Sequence, residues 1–199
     1  MNTLPLFPIA LGLFELGRDF TENEMSFIKG QETRGNMGNT TSVNTSILDS
    51  EELKDLRAFV QKSVDEYFHE IFVPTQDTKL RITQSWCNYT EPGQFHHKHA
   101  HPNSFISGVL YPQANAETDK IYFYKSGWQQ LKTPTETFNQ YNSDSWWMET
   151  YTGRMFIFPS GLEHMVETVE GADTRISLSF NTFPVGNFGE ALSLTGLNL

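Results

Sequence analysis

The hydrophobic positions follow a helical period early in the chain. Over residues 50–71, apolar side chains recur every three or four positions, which predicts an amphipathic helix with one buried stripe. Asp49, with Glu52 three residues later, is predicted to cap the start of this helix. Thr21 and Glu24 form the same capping-box pattern, which predicts a shorter helix directly after Thr21.

From about residue 79 the period changes to two, which indicates β-strands. Strand-like runs, separated by turn residues, occupy 80–89, 104–111, 120–125, 153–159, 163–169 and 174–183. Helices followed by many strands predict an α+β protein that is mainly β, with an antiparallel core. A closed barrel, a sandwich and a jelly roll all agree with this pattern.

The length of 199 residues predicts a single domain. We expect residues 1–78 to form a helical and loop support, 79–183 the β-core, and 184–199 a C-terminal tail. The segment 30–46 is rich in Gly, Asn, Thr and Ser and predicts a long loop, a candidate cover for a substrate.

Composition restricts partners and location. The net charge of −10 repels phosphate backbones, so nucleic acid is not an expected partner. Cys87 is the only cysteine, which excludes an intrachain disulfide, and its strand-like setting predicts a buried thiol. No run approaches the roughly 20 apolar residues that a membrane span requires. We therefore expect a soluble, cytoplasmic protein with no membrane partner.

Five of the six histidines are candidates for metal binding. Four of them lie within six residues, namely His96, His97, His99 and His101, and the fifth is His164. The sixth, His69, is expected on the surface of the long helix. Neutral imidazole is a common ligand of divalent transition metals, and residues i and i+2 of a strand point the same way. His99 and His101 can therefore converge on one ion, with His97 on the same face.

The spacing around these histidines resembles the two cupin motifs. Gly153, Pro159, Gly161 and His164 all fall at the spacing of the second motif. The first motif is carried by His99-Ala-His101, but Phe105 and Ile106 stand where cupins usually place a glutamate ligand. Three protein ligands with open positions are typical of a catalytic metal site rather than a closed structural one.

The run 174–182 alternates between polar and apolar side chains. The polar face carries Arg175, Ser177, Ser179 and Asn181, and the apolar face carries Ile176, Leu178 and Phe180. If the apolar face packs on helices, the polar face must line the interior. A buried arginine requires an anionic partner, and a carboxylate suits its guanidinium fork. The alternative is a surface arginine paired with Glu163 or Asp173.

Several segments together resemble the 2-oxoglutarate/Fe(II)-dependent oxygenases. They are Trp86-Cys-Asn88, Pro92-Gly93, His99-Ala-His101-Pro102, residues 107–111, residues 153–160 with His164, and Arg175-Ile-Ser177 with Phe180-Asn181. The resemblance implies a double-stranded β-helix, a cupin-like jelly roll, with the N-terminal helices packed on one sheet. More narrowly, these segments resemble a branch met in phage and bacterial genomes and distantly related to prolyl 4-hydroxylases.

By this resemblance, His99 and His164 are the first and distal Fe(II) ligands, and His101 stands where most of the superfamily has Asp. Arg175, assisted by Ser177, anchors 2-oxoglutarate, and His97 with His99 remains an alternative ligand pair. Asn88 and Tyr111 are further candidates for co-substrate binding. Other candidate pocket residues are Trp86, Tyr124, His97 and Asn181.

The implied enzyme is a hydroxylase that consumes O2 and 2-oxoglutarate and acts on a small molecule or a protein side chain. If the gene is phage-borne, its place of action is the host cytoplasm. Two other functions agree with the same residues. One is a cupin-type dioxygenase or isomerase with a three-histidine metal and no 2-oxoglutarate. The other is a jelly-roll binding or virion module in which the histidines are structural.

Overall fold

The computed structural model describes residues 1–74, 77–127 and 133–199. Its α-helices are α1 (Glu22–Lys29) and α2 (Lys54–Phe72), and short 3-10 turns occupy Ile47–Asp49 and Glu51–Leu53. Its strands are β1 (Gly12–Glu15), β2 (Thr33–Gly35), β3 (Thr40–Ser42), β4 (Thr78–Thr90), β5 (His96–His99), β6 (Ile106–Gln113), β7 (Lys120–Tyr124), β8 (Ser145–Glu149), β9 (Arg154–Pro159), β10 (His164–Val166), β11 (Arg175–Phe188) and β12 (Leu197–Asn198).

The strands form two antiparallel sheets that face each other. The larger sheet has the order β1-β9-β6-β11-β4-β3-β2, with β12 added to β11, and the smaller has the order β5-β10-β7-β8. Apolar side chains of β6, β7 and β9 pack together between the two sheets, among them Val109, Ile121 and Phe156. This arrangement is a double-stranded β-helix, or jelly roll, as the sequence predicts.

The larger sheet separates an apolar layer from a polar interior. Its outer face packs against both helices, and Ile176, Leu178 and Phe180 of β11 belong to that buried apolar cluster. The alternate residues of the same strand face the interior and are also buried, namely Arg175, Ser177, Ser179 and Asn181. The predicted division of β11 into two faces is therefore confirmed, and the strand continues to Phe188, beyond the predicted core end at residue 183.

The two predicted helix caps have different outcomes. The capping box of Thr21 and Glu24 is present at the start of α1. The cap predicted at Asp49 is wrong, because α2 begins only at Lys54 and has Leu53, without a side-chain hydrogen bond, at its N-cap. The two 3-10 turns that precede α2 bury their own apolar side chains and displace Asp49 from the cap, and it forms an ion pair with Arg57 instead.

The segment 30–46 contains a hairpin rather than a continuous loop. Strands β2 and β3 pair with each other, and β3 also pairs with β4. The turn between them is attached to the rest of the protein, because Asn39 Nδ2 donates to Thr90 Oγ1 at 3.1 Å and the amide of Phe95 donates to the carbonyl of Gly38 at 3.1 Å. A role for this hairpin as a substrate cover remains a prediction.

Three further expectations concern the burial of Cys87, the exposure of His69 and membrane spans. Cys87 lies in β4 with no exposed surface, and burial raises the pKa of its thiol to about 12. His69 is exposed on α2, as expected. Within the described ranges, no helix combines the length and apolar character that crossing a membrane requires.

Gly108 of β6 provides a test of how closely the apolar face of the larger sheet is packed. A Cβ at this position would lie 2.8 Å from the carbonyl oxygen of Phe156 and would overlap the ring of Phe180. We expect Gly108→Ala to lower the free energy of unfolding by about 1–3 kcal/mol, the usual cost of overpacking. Gly161→Ala is the matched control, because a Cβ there meets no atom within 4 Å. Urea denaturation that gave equal stabilities for the two variants would contradict this packing.

Candidate functional site

The pairing of β5 with β10 brings distant histidines together. His99 lies directly opposite His164 in the register of these strands, and their ring centroids are 4.5 Å apart. His101 follows β5, and its Nε2 lies 3.3 Å from Nε2 of His164. One nitrogen from each of the three side chains lies within 4.8 Å of the others. The predicted convergence of His99, His101 and His164 is therefore present in the fold.

Backbone carbonyl groups select the tautomers of two of these rings. Nδ1 of His99 is 2.8 Å from the carbonyl oxygen of His97, and Nδ1 of His164 is 3.0 Å from that of Leu162. Because a carbonyl oxygen can only accept, each Nδ1 carries the proton and each Nε2 keeps its lone pair. This is the usual state of a metal-ligating histidine, in which the second nitrogen is held by a hydrogen-bond acceptor.

Burial keeps these imidazoles neutral. It lowers the pKa of His164 to about 3 and that of His101 to about 4, and neighbouring histidines contribute in the same direction. Burial also lowers the pKa of His99, although the carbonyl of His97 opposes this effect. At neutral pH the rings therefore present lone pairs rather than positive charges.

The spacing of His101 and His164 suits two ligands of one divalent cation, and His99 lies close enough to be the third. With metal–nitrogen distances of about 2.1 Å, neighbouring ligand nitrogens lie roughly 3.0–3.4 Å apart in octahedral or tetrahedral geometry. The separation of 3.3 Å between Nε2 of His101 and Nε2 of His164 falls in this range. Among the described residues, both groups that could hold an ion consist of histidines alone. A carboxylate ligand is therefore missing from the site, in agreement with the departure seen in the sequence.

Arg175 is the first residue of β11 and lies on the polar face of that strand. It is 2% exposed, its Nε has no hydrogen-bond partner, and its guanidinium lies over the ring of Tyr111 with 4.8 Å to the centroid. Within the described part of the chain, none of the salt bridges involves Arg175, and Glu163 pairs with Lys98 instead. A buried guanidinium without a carboxylate indicates room for an anionic ligand.

Other buried polar atoms near Arg175 also lack partners. The hydroxyl of Tyr111 has none, and burial raises its pKa to about 12, although the charge of Arg175 opposes this. Asn88, opposite Ser177 in the register of β4 and β11, donates from Nδ2 to Ser179 Oγ at 3.3 Å and leaves Oδ1 unpaired. Leaving such groups unpaired costs about 1–3 kcal/mol each, so a polar ligand is expected between them.

His96 connects the two parts of the site electrostatically. Burial lowers its pKa to about 2, with further contributions from His99, His97 and the charge of Arg175. The charge of Arg175 is therefore felt at His96, beside the proposed metal ligands. The sequence pattern does not reveal this position of His96, because a register shift between the pairs His164–His99 and Val166–His96 breaks the alternation of β5.

The remaining predicted pocket residues divide into two groups. Trp86 lies beside the histidines, with 5.7 Å between its ring centroid and that of His101. His97 is also close, with 4.8 Å between its ring centroid and that of His99. Asn181 is also inside, where its Oδ1 accepts from Ser107 Oγ at 2.8 Å. The structure does not bring Tyr124 into the pocket. It is on the opposite face of β7 from the buried Phe123, and its hydroxyl donates to Met165 Sδ at 2.8 Å.

A buried serine network supports His101 and was not found from the sequence. Ser160 Oγ lies 2.8 Å from both Ser104 Oγ and Ser107 Oγ, and the amide of His101 donates to the carbonyl of Ser160 at 2.9 Å. The only sequence signal is the position of Ser160 directly after Pro159 in the second cupin-like motif. The network attaches the turn that carries His101 to β6 and β9.

Comparisons with known proteins agree with this geometry. A family profile described as "Putative 2OG-Fe(II) oxygenase" matches residues 84–181, which include the histidine cluster and Arg175. A comparison with curated proteins finds no match.

Solved structures share the fold at low identity. An oxidoreductase of the 2OG-Fe(II) oxygenase family from Burkholderia pseudomallei is 12% identical, with 79% of this chain and 74% of that chain covered and a TM-score of 0.57. HygX from Streptomyces hygroscopicus, with nickel and 2-oxoglutarate bound, is 8% identical. The match covers 87% of this chain and 82% of that chain, with a TM-score of 0.61. The profile match over residues 84–181 assigns this part of the chain to the 2-oxoglutarate/Fe(II)-dependent oxygenases, enzymes that use Fe(II), 2-oxoglutarate and O2, and the shared fold and the geometry of the site agree with that assignment.

Proposed function

We propose that this enzyme is a hydroxylase in which His99, His101 and His164 bind Fe(II) and Arg175 binds the distal carboxylate of 2-oxoglutarate. The observation that carries the proposal is a buried arginine without a carboxylate partner on the polar face of β11, in the same fold that brings three neutral histidines together. Ser177, Asn88 and Tyr111 complete the co-substrate pocket in this proposal. The fit of a dianion is supported by the unpaired polar atoms around Arg175.

The protein's own groups bind and orient the reactants. The guanidinium of Arg175 offers a planar pair of donors to a carboxylate, and the hydroxyl of Tyr111 can donate to the same group. Hydrogen bonds to the carbonyls of His97 and Leu162 hold the rings of His99 and His164 in the orientation that directs Nε2 inward. When bound, Fe(II) and 2-oxoglutarate supply the activation of O2, with release of succinate and CO2.

Aromatic side chains limit the access of water on one side of the metal ligands. The ring of Phe158 contacts that of His164 edge-on with 4.8 Å between centroids, and Phe123 lies 6.2 Å away. Trp86 and the turn at His101 border the site on another side. We propose that the substrate enters past Trp86, because this ring is only partly buried beside a metal ligand.

The substrate is proposed to be a small molecule or a protein side chain. One HygX structure contains hygromycin B together with 2-oxoglutarate, which supports a small-molecule substrate for this fold. The net charge of −10 disfavours a nucleic-acid substrate. We further propose a single domain over residues 1–199 that acts in the cytoplasm, or in the host cytoplasm if the gene is phage-borne, within the branch related to prolyl 4-hydroxylases.

Substitution of the ligands tests the metal assignment. We expect His99→Ala, His101→Ala and His164→Ala each to reduce Fe(II) from about one ion per chain to almost none, because two imidazoles alone hold the ion weakly. His101→Asp should retain iron, since a carboxylate can take that coordination position. The controls are His96→Ala and, on the exposed face of α2, His69→Ala. The measurement is metal analysis after gel filtration, and full occupancy in His164→Ala would contradict the assignment.

Substitution of Arg175 tests the co-substrate site. Arg175→Ala should retain iron but lose at least about 30-fold in 2-oxoglutarate affinity, because removal of a buried charge-assisted pair costs about 2–5 kcal/mol. Arg175→Lys should recover only part of the affinity, since an ammonium lacks the planar fork.

The measurement is calorimetric titration of the anaerobic Fe(II) form with 2-oxoglutarate, with circular dichroism to verify folding. Unchanged affinity in Arg175→Ala would overturn the assignment of Arg175. Absence of binding to the unsubstituted protein would instead favour the three-histidine enzyme without 2-oxoglutarate, to which the lack of a carboxylate ligand also points.

A further inference from the structure

A second group of three histidines lies beside the proposed iron ligands. Nitrogens of His96, His97 and His99 lie within 4.8 Å of one another. The rings of His96 and His99 stack, with 4.7 Å between centroids and 26° between planes. His96 and His97 have no part in the proposed binding of iron, so their presence in this cavity requires another explanation.

His97 has a buried nitrogen without a partner. Its Nδ1 has no hydrogen bond in the described part of the structure. An unpaired buried nitrogen costs about 1–3 kcal/mol, which a bound cation would offset. Nε2 of His96 accepts one long hydrogen bond, 3.4 Å from Asn36 Nδ2 on the β2–β3 turn, and a bound cation would replace this weak contact.

Metal ions cannot occupy both groups of histidines at the same time. Nδ1 of His99 is occupied by the carbonyl oxygen of His97, so His99 can offer a metal only Nε2. That single nitrogen would have to serve both an ion held by His101 and His164 and an ion held by His96 and His97. Binding at one position therefore removes a ligand from the other.

We propose that His96, His97 and His99 form a second site, for a divalent transition ion such as Zn²⁺, which competes with the iron site for His99. Zn²⁺ is suited to it because it accepts three imidazoles and a water in tetrahedral geometry. Nitrogen sites also generally bind Zn²⁺ more tightly than Fe²⁺. Zn²⁺ at this site would withdraw His99 from the iron centre and inactivate the enzyme, a form of regulation that rests on the proposed function.

A variant without the iron site tests the proposal directly. His101→Ala combined with His164→Ala removes two of the three iron ligands and should still bind one Zn²⁺ per chain in equilibrium dialysis. Addition of His97→Ala should weaken Zn²⁺ binding at least tenfold, whereas addition of His69→Ala, on the exposed surface of α2, should leave it unchanged. Absence of Zn²⁺ binding in the folded double variant, or binding that survives His97→Ala, would overturn the proposal.

A second measurement uses the unsubstituted protein and does not depend on the folding of a variant. Crystals soaked with Zn²⁺ should show an anomalous peak at the zinc absorption edge between His96 and His97. Peaks confined to the space between His101 and His164 would overturn the second site. Neither experiment involves 2-oxoglutarate, so a failure of the Arg175 assignment would leave the result on Zn²⁺ unaffected.

Discussion

The antiparallel pairing of β5 with β10 is the constraint on which the site depends. It places His99 opposite His164, although 65 positions separate them in the chain. The turn after β5 then has to direct His101 inward, and the serine network of Ser104, Ser107 and Ser160 attaches that turn to the larger sheet. A shift of one residue in the β5–β10 register would direct His99 away from His164 and abolish the metal site.

Burial of polar groups in the interior destabilises the fold, and apolar packing on the outer face of the larger sheet has to offset this loss of stability. Burial of Arg175 without a carboxylate is unfavourable, and Tyr111 and Asn88 add further unpaired atoms. Apolar packing of the helices against the same sheet supplies the compensating stability, through residues such as Leu178 and Phe180 of β11. One strand therefore contributes both to the core and to the binding site, because its side chains alternate between two faces.

Much of this architecture could be predicted from the sequence. The alternation of residues 174–182 predicted the two faces of β11, and the dense histidines predicted a metal site with His164 as the distant ligand. The prediction did less well where alternation is interrupted. The register shift in β5 hid the placement of His96 against His99, and the 3-10 turns before α2 displaced the expected cap at Asp49. Short strands such as β1 and β8 were also missed, since four or five residues carry too little periodicity.

The central claim is that Fe(II) at the histidines and 2-oxoglutarate at Arg175 occupy one cavity and contact each other. Anaerobic visible absorption spectroscopy tests this most directly, because direct coordination of the keto acid to Fe(II) produces a weak charge-transfer band that neither component shows alone. The account predicts that the band appears when 2-oxoglutarate is added to the Fe(II) protein and that it saturates at one co-substrate per chain. If both bind but no band appears, the two sites are separate, and the account is contradicted.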